Sequence, residues 1–163
     1  MKNRGDFHIH SLYSDGIYKV EDLVSIAKAK GLKAMAITDH DVLAGSIAAK
    51  SLEDDSLRLL IGLELSTEHN QESIHILGYF NSEEGLEGLD KFLMDQRASR
   101  LKRAYKIKDK LLQHFQIDLD MDFVKNISSV TRGSIAREII EQGYPYKKEE
   151  IFSKMIGENA PAY

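Results

Sequence analysis

Apolar and polar residues alternate from Asp6 to Ser11, a period of two that predicts a strand with His8 and His10 on one face. Asp15-Gly16 then marks a turn. Val20, Leu23, Val24 and Ala27 recur at helical spacing, and Gly31 closes that helix. Lys33 to Thr38 reads as a second strand running into Asp39-His40-Asp41, and Leu43 to Leu52 as a short helix containing Gly45. Leu57 to Glu68 forms a third, largely buried strand, Asn70-Gln71 a turn, and Ser73 to Tyr79 a fourth strand. Alternating strands and helices predict an α/β fold with parallel pairing. The third and fourth strands are joined too closely for a crossover, so that pair is antiparallel.

Beyond Glu83 the period changes. Leu86 to Phe115 predicts one long helix, followed by short helices near Asp120 to Ile127, Ser134 to Gln142 and Lys148 to Met155. The expected organisation is an α/β part over residues 1–82 and an all-helical segment over 83–163.

Composition narrows the chemistry. The 163 residues are 42% hydrophobic and 29% charged, with a formal charge of −4, which argues against a whole-surface nucleic-acid binder but allows a local basic patch. There is no cysteine, so disulfides, thiolate metal sites and cysteine nucleophiles are excluded, and any metal is held by His, Asp, Glu or water. No apolar run reaches membrane-spanning length, and the expected location is the cytoplasm.

His8, His10 and Asp15 open a plausible metal site. His40 lies between two carboxylates just past the C-terminal end of the second strand, where functional groups gather in parallel α/β folds. Glu64 sits within Leu60-Ile61-Gly62-Leu63-Glu64-Leu65, and its charge requires a cation or strong donor nearby. His75 is similarly embedded in Ile74-His75-Ile76-Leu77. Each residue alone is also consistent with a structural role, a histidine satisfied by a backbone carbonyl or a glutamate paired with Lys or Arg. Together they place a histidine or an acid on every strand of the α/β part.

Asp6-Phe7-His8-Ile9-His10-Ser11, Ser14-Asp15-Gly16, Thr38-Asp39-His40-Asp41, Gly62-Leu63-Glu64 and Ile74-His75-Ile76-Leu77-Gly78 resemble, in order and spacing, the motifs of the polymerase and histidinol phosphatase (PHP) domain family. The resemblance implies a distorted β/α barrel holding up to three divalent ions (Mn, Zn or Fe) at the C-terminal ends of its strands, and hydrolysis of phosphoesters. It implies that His8 and His10 bind one metal with Glu64 bridging, that Glu64 and His75 serve a second, and Asp15 with His40 a third. Glu64, His75 and Asp39 are the implied catalytic set, with Asp39 and Asp41 as outer groups orienting the histidines.

In the helical segment, Arg97 and Arg100 fall on the same side as the stripe Leu86, Leu89, Leu93, Leu101, Ala104, Ile107 and Leu111, whereas Lys102, Arg103, Lys106 and Lys110 lie opposite. Arginines on a core-facing stripe require anionic partners, either protein carboxylates or a substrate phosphate. Arg132 precedes a helix start where backbone amides and the Ser134 hydroxyl could cradle phosphate, although Ser134 as an ordinary N-cap is the simpler role. The stretch Arg132-Gly133-Ser134-Ile135-Ala136 is similar to the Gly-Arg-Pro-His-Ile-Ala segment of a nucleotide- and RNA-acting PHP branch, with Gly133 and Ser134 in place of its proline and histidine. Four strands do not close a barrel, so the expected architecture is its N-terminal half, with a second copy or a further half-barrel covering the open edge. The expected function is metal-dependent hydrolysis of nucleotide or short oligonucleotide phosphates. The alternative is a truncated, non-catalytic metal-binding or assembly module.

Overall fold

A computed structural model describes residues 4–70 and 72–163; the predicted turn residue Gln71 lies outside them. Compact packing divides the chain after Gln96. The first unit contains β1 (Gly5–Ile9), α1 (Val20–Ala29), β2 (Ala34–Ile37), α2 (Ala44–Lys50), β3 (Arg58–His69) and β4 (Glu72–Phe80). The long helix α3 (Glu87–Phe115) begins in it. A single sheet runs in the order β1-β2-β3-β4, with two parallel pairs followed by an antiparallel one. This is an α/β fold whose mixed sheet forms half of a barrel.

Alternation fixes the two faces of the sheet. Met35, Ile37 and Leu59 pack with Val20, Val24 and Ala27 of α1 and Ala49 of α2, while Ile61 and Leu63 pack with Leu43, Leu86 and Leu93. Glu64 and the other even-numbered residues of β3 therefore turn to the opposite face. Phe7 and Tyr79 stand on the two edge strands, yet their rings lie 6.2 Å apart edge-to-face and the Tyr79 hydroxyl donates to the Phe7 carbonyl at 2.7 Å. Only a strongly curled sheet brings its edges together in this way.

The first strand is shorter than its alternation predicts. Its register with β2 shifts between Asp6 and Ile9, three steps of β1 matching two of β2, and pairing ends at Ile9 because the Ser11 amide donates to the Asp39 side chain instead.

The second unit, Arg97 to Tyr163, is helical: the remainder of α3, a single 3₁₀ turn at Asp122–Lys125, α4 (Arg132–Glu141), α5 (Lys148–Ile151) and a π-helical turn at Phe152–Ile156. Ala104, Ile107 and Leu111 of α3 pack there with Ile117, Leu119, Ile135, Ile139, Ile151 and Met155. The helix expected near Asp120 to Ile127 shrinks to that one turn, held by Asp120 accepting from the Asp122 amide. Ser134 does not cap α4: Thr131 does, and Ser134, three residues in, completes a reciprocal capping box.

Candidate metal centre

Strand ends and the loops that follow them assemble the centre in the first unit. Past the end of β2, the Glu64 amide donates to the Asp39 carbonyl at 3.2 Å and the Asp41 amide to the Glu64 carbonyl at 3.0 Å, which sets His40 beside Glu64. Asp41 adopts φ +53°, and its carboxylate accepts from the Ser66 amide at 2.8 Å, pinning the turn to β3. Ser66 pairs with His75 across the antiparallel ladder, so Glu64 and His75 share a face.

Asp39 organises the loop after β1. Its wholly buried carboxylate accepts from the Ser11 amide at 2.7 Å, the Ser11 hydroxyl at 2.5 Å and the Ser14 hydroxyl at 2.6 Å. These bonds fix the loop carrying His10 and Asp15, and none of the three comes from a histidine. Burial raises the Asp39 pKa, partly offset by those hydrogen bonds. Two glycines let the backbone close on this knot. A Cβ on Gly16 would lie 2.1 Å from the His10 carbonyl oxygen, and one on Gly45 would lie 2.4 Å from Asp39 Oδ2 and 3.0 Å from Ser11 Oγ.

Four imidazoles surround the buried Glu64 carboxylate. His8 Nε2 and His10 Nε2 approach Oε2 at 3.0 and 3.1 Å, His40 Nδ1 approaches it at 3.6 Å, and His75 Nδ1 lies 2.5 Å from Oε1. Asp15 lies 3.4 Å from His10 Nδ1 and 3.7 Å from His40 Nε2. Burial acts to raise the Glu64 pKa, but the hydrogen bonds of His10, His8 and His75 and the charge of His40 outweigh it and hold the carboxyl well below the usual range. Burial likewise acts to lower the His10 pKa, and the Glu64 and Asp15 carboxylates outweigh it, raising that imidazole above its ordinary value.

This donor set fits divalent ions. Two ligand atoms bonded to one ion at 2.0–2.2 Å sit about 2.8–3.6 Å apart across tetrahedral or octahedral angles, close to the 3.0–3.7 Å separations among most of these groups. His10 Nδ1 is buried and makes no hydrogen bond, with the Asp15 carboxylate 3.4 Å from it. Three groupings each place one ligand atom per residue within 4.8 Å of the others: His8–His10–Glu64, His10–Asp15–His40 and His40–Glu64–His75. His10, His40 and Glu64 each belong to two of them, the arrangement expected of adjacent ions sharing ligands. No other metal-ligating group of this kind occurs among the described residues.

All six expected ligands therefore converge. The three arginines lie in the second unit. Arg100 is buried and donates to the Val130 carbonyl at 3.4 Å, Arg97 is half-buried, and Arg132 occupies the first turn of α4 with its guanidinium 4.9 Å from the Tyr163 ring centre. The contributions of Ser11, Ser14, Gly45 and Ser66 were not anticipated from the sequence, although Ser11 ends the histidine motif and Ser14 opens the one that carries Asp15. Among the described residues, no helix is long and apolar enough to cross a membrane.

Comparison with known proteins agrees with this geometry. The chain is 33% identical over 169 aligned residues to a 5'-3' exoribonuclease of Haemophilus influenzae, covering 100% of this chain and 60% of that protein. It is 26% identical over 162 residues to a 3',5'-nucleoside bisphosphate phosphatase of Chromobacterium violaceum, covering 97% and 56%. The chain thus spans little more than half the length of these curated relatives. A crystal structure of a candidate metal-dependent phosphoesterase from Bifidobacterium adolescentis superposes with a TM-score of 0.84 at 26% identity, covering 98% of this chain and 58% of the other. The model of the PHP domain matches residues 6–156, and with the histidine–carboxylate cluster at its strand ends the chain belongs to the PHP domain family.

Proposed function

We propose that this centre hydrolyses phosphoesters of nucleotides or short oligonucleotides. The observation that carries the reading is the buried Glu64 carboxylate facing four imidazoles, with Asp15 behind two of them. The relatives named as an exoribonuclease and a nucleoside bisphosphate phosphatase support the substrate class.

In this reading His8, His10 and Glu64 hold one divalent ion, Glu64, His40 and His75 hold a second, and Asp15 with His10 and His40 serves a third. Mixed imidazole and carboxylate ligands suit Mn²⁺, Zn²⁺ or Fe²⁺. Bound divalent ions supply Lewis acidity toward phosphoryl oxygens and acidify water, the two requirements of phosphoester hydrolysis. Glu64 stays ionised over the whole neutral range and so remains available to share between ions. Asp39 is a positioning residue that holds the His10–Asp15 loop through Ser11 and Ser14. His8 and His75, with side chains 52% and 37% exposed, are the ligands open to a substrate or its leaving group. Arg97, Arg100 and Arg132 are the candidate groups for substrate phosphate, an anion that suits a guanidinium fork.

The test is to purify the chain, measure its bound metals, and assay nucleotide phosphate hydrolysis with Mn²⁺ added. Hydrolysis that disappears in His8→Ala and Glu64→Ala supports the reading. A folded chain that binds metal without turnover would instead identify a metal-binding or assembly module.

A further inference from the structure

Helix α3 carries its cations unevenly. Arg97 to Lys110 holds seven Lys and Arg against one acid, Asp109, in a chain whose formal charge is −4. Its buried stripe, Arg100, Ala104, Ile107 and Leu111, leaves the opposite arc to solvent. There Leu101, Tyr105 and Leu112 are 36%, 46% and 47% exposed. Sequence periodicity assigns Leu101 to the core stripe, but the structure buries Arg100 and turns Leu101 outward, joining it to Tyr105 one turn on. Lys102 and Lys106 are exposed beside them and have no ion pair among the described residues. Lys110 continues the row, with its ammonium donating to the Tyr163 carbonyl. These three cations recur about every 6 Å along roughly 12 Å of helix.

An aromatic ring on an apolar strip, flanked by the unpaired ammoniums of Lys102 and Lys106, matches the two needs of a single nucleic-acid strand: a surface for bases and counter-charge for the phosphodiester backbone. A solvated helix face accounts for the lysines but not for three large apolar side chains kept among them. We propose that the exposed face of α3 from Leu101 to Leu112 binds a single-stranded oligonucleotide, with Tyr105 stacking a base and Lys102 and Lys106 contacting phosphates. The proposal rests on the reading of the chain as a nucleotide phosphoesterase, and adds a strand-binding surface within the helical unit. Charge complementarity selects this occupant over a second copy of the chain, which would bring two rows of lysines together.

The test measures binding of a fluorescein-labelled oligouridylate to the full chain by anisotropy in EDTA, so that turnover plays no part. Lys102→Glu with Lys106→Glu should weaken binding at least tenfold and flatten the dependence of log K on log salt by about 1.4, roughly 0.7 for each lost phosphate contact. Tyr105→Ala should weaken binding with the salt slope unchanged. With Mn²⁺, hydrolysis of a mononucleotide by these surface variants should stay within about twofold of the parent, a split between strand and monomer that an unfolded variant does not give. Strand affinity unaffected by the charge reversal overturns the proposal. So does a dimer lost in Tyr105→Ala, or a preference for phosphatidylserine vesicles over the strand. Strand binding through these residues without any hydrolysis supports the track and refutes only the reading of the centre.

Discussion

Replacing Gly45 with alanine tests whether the loop carrying the ligands is held as described. In an open helical position this change stabilises a protein by up to about 1 kcal/mol, because glycine loses more backbone entropy on folding. Here the new methyl group would sit 2.4 Å from Asp39 Oδ2, 3.0 Å from Ser11 Oγ and 3.1 Å from Tyr13 Cδ2. Ordinary contact requires α2 or the carboxylate to retreat by about 1 Å, and overpacking of this kind costs about 1–3 kcal/mol. The carboxylate cannot retreat alone, because the Ser11 and Ser14 hydrogen bonds hold it, and a hydrogen bond to an ionised group contributes about 1.5–3 kcal/mol. The expected net effect is destabilisation by about 1–3 kcal/mol, a fall in Tm of about 3–10 °C for a chain of this size. Metal affinity should fall with it, since His10 and Asp15 ride on the displaced loop. Gly88, where an added Cβ meets nothing within 4 Å, is the control, and Gly88→Ala should be neutral or stabilising. Urea unfolding of the metal-free chain and calorimetric titration with Mn²⁺ measure both quantities. A Gly45→Ala chain more stable than the parent, with unchanged metal affinity, would refute the reasoning.

Other predictions follow from the same contacts. Asp39→Ala removes three buried hydrogen bonds and should lower metal affinity about 10–100-fold with a clear loss of stability, while Asp39→Asn, which keeps an acceptor, recovers part of both by the same titration. Glu64→Ala should abolish metal retention measured by elemental analysis while leaving the helical circular dichroism signal intact. Protonation of His10 stabilises the metal-free fold, because its folded pKa is raised; that contribution is complete below its ordinary value of 6.5 and is lost as pH rises through the raised one. The same protons compete with metal, so affinity should climb across that window as metal-free stability declines, and parallel slopes would contradict the assignment. Arg132→Ala should raise KM for phosphorylated substrates with little change in Tm, whereas Arg100→Ala should also lower Tm, since its buried guanidinium donates to Val130.

The two halves of the centre were legible to different degrees, for a physical reason. Ligand identity is a local property: the alternation around His8 and His10, the acid-flanked His40 and the apolar surroundings of Glu64 and His75 all show in short windows of sequence. Strand direction was legible too, because the short β3–β4 connection forces an antiparallel pair at the end of a parallel run. Support for those ligands is non-local. Asp39 lies twenty-eight residues from Ser11 and twenty-five from Ser14, and no periodicity marks a carboxylate that turns toward a loop rather than toward a histidine. The same distance explains Gly45, which counted against a helix when judged by propensity alone and proves to be the position where that helix must close on the Asp39 knot. On α3 the ambiguity is rotational: Leu101 lies about 100° around the helix from Arg100, at the edge of the apolar stripe, and burial of the arginine against the Val130 carbonyl leaves the leucine facing water. A local rule of helix propensity or apolar burial broken at a buried position is therefore informative in this chain. Gly45 and Arg100 each break one, and each lies where a distant segment needs the space or the donor that the preferred residue would withhold.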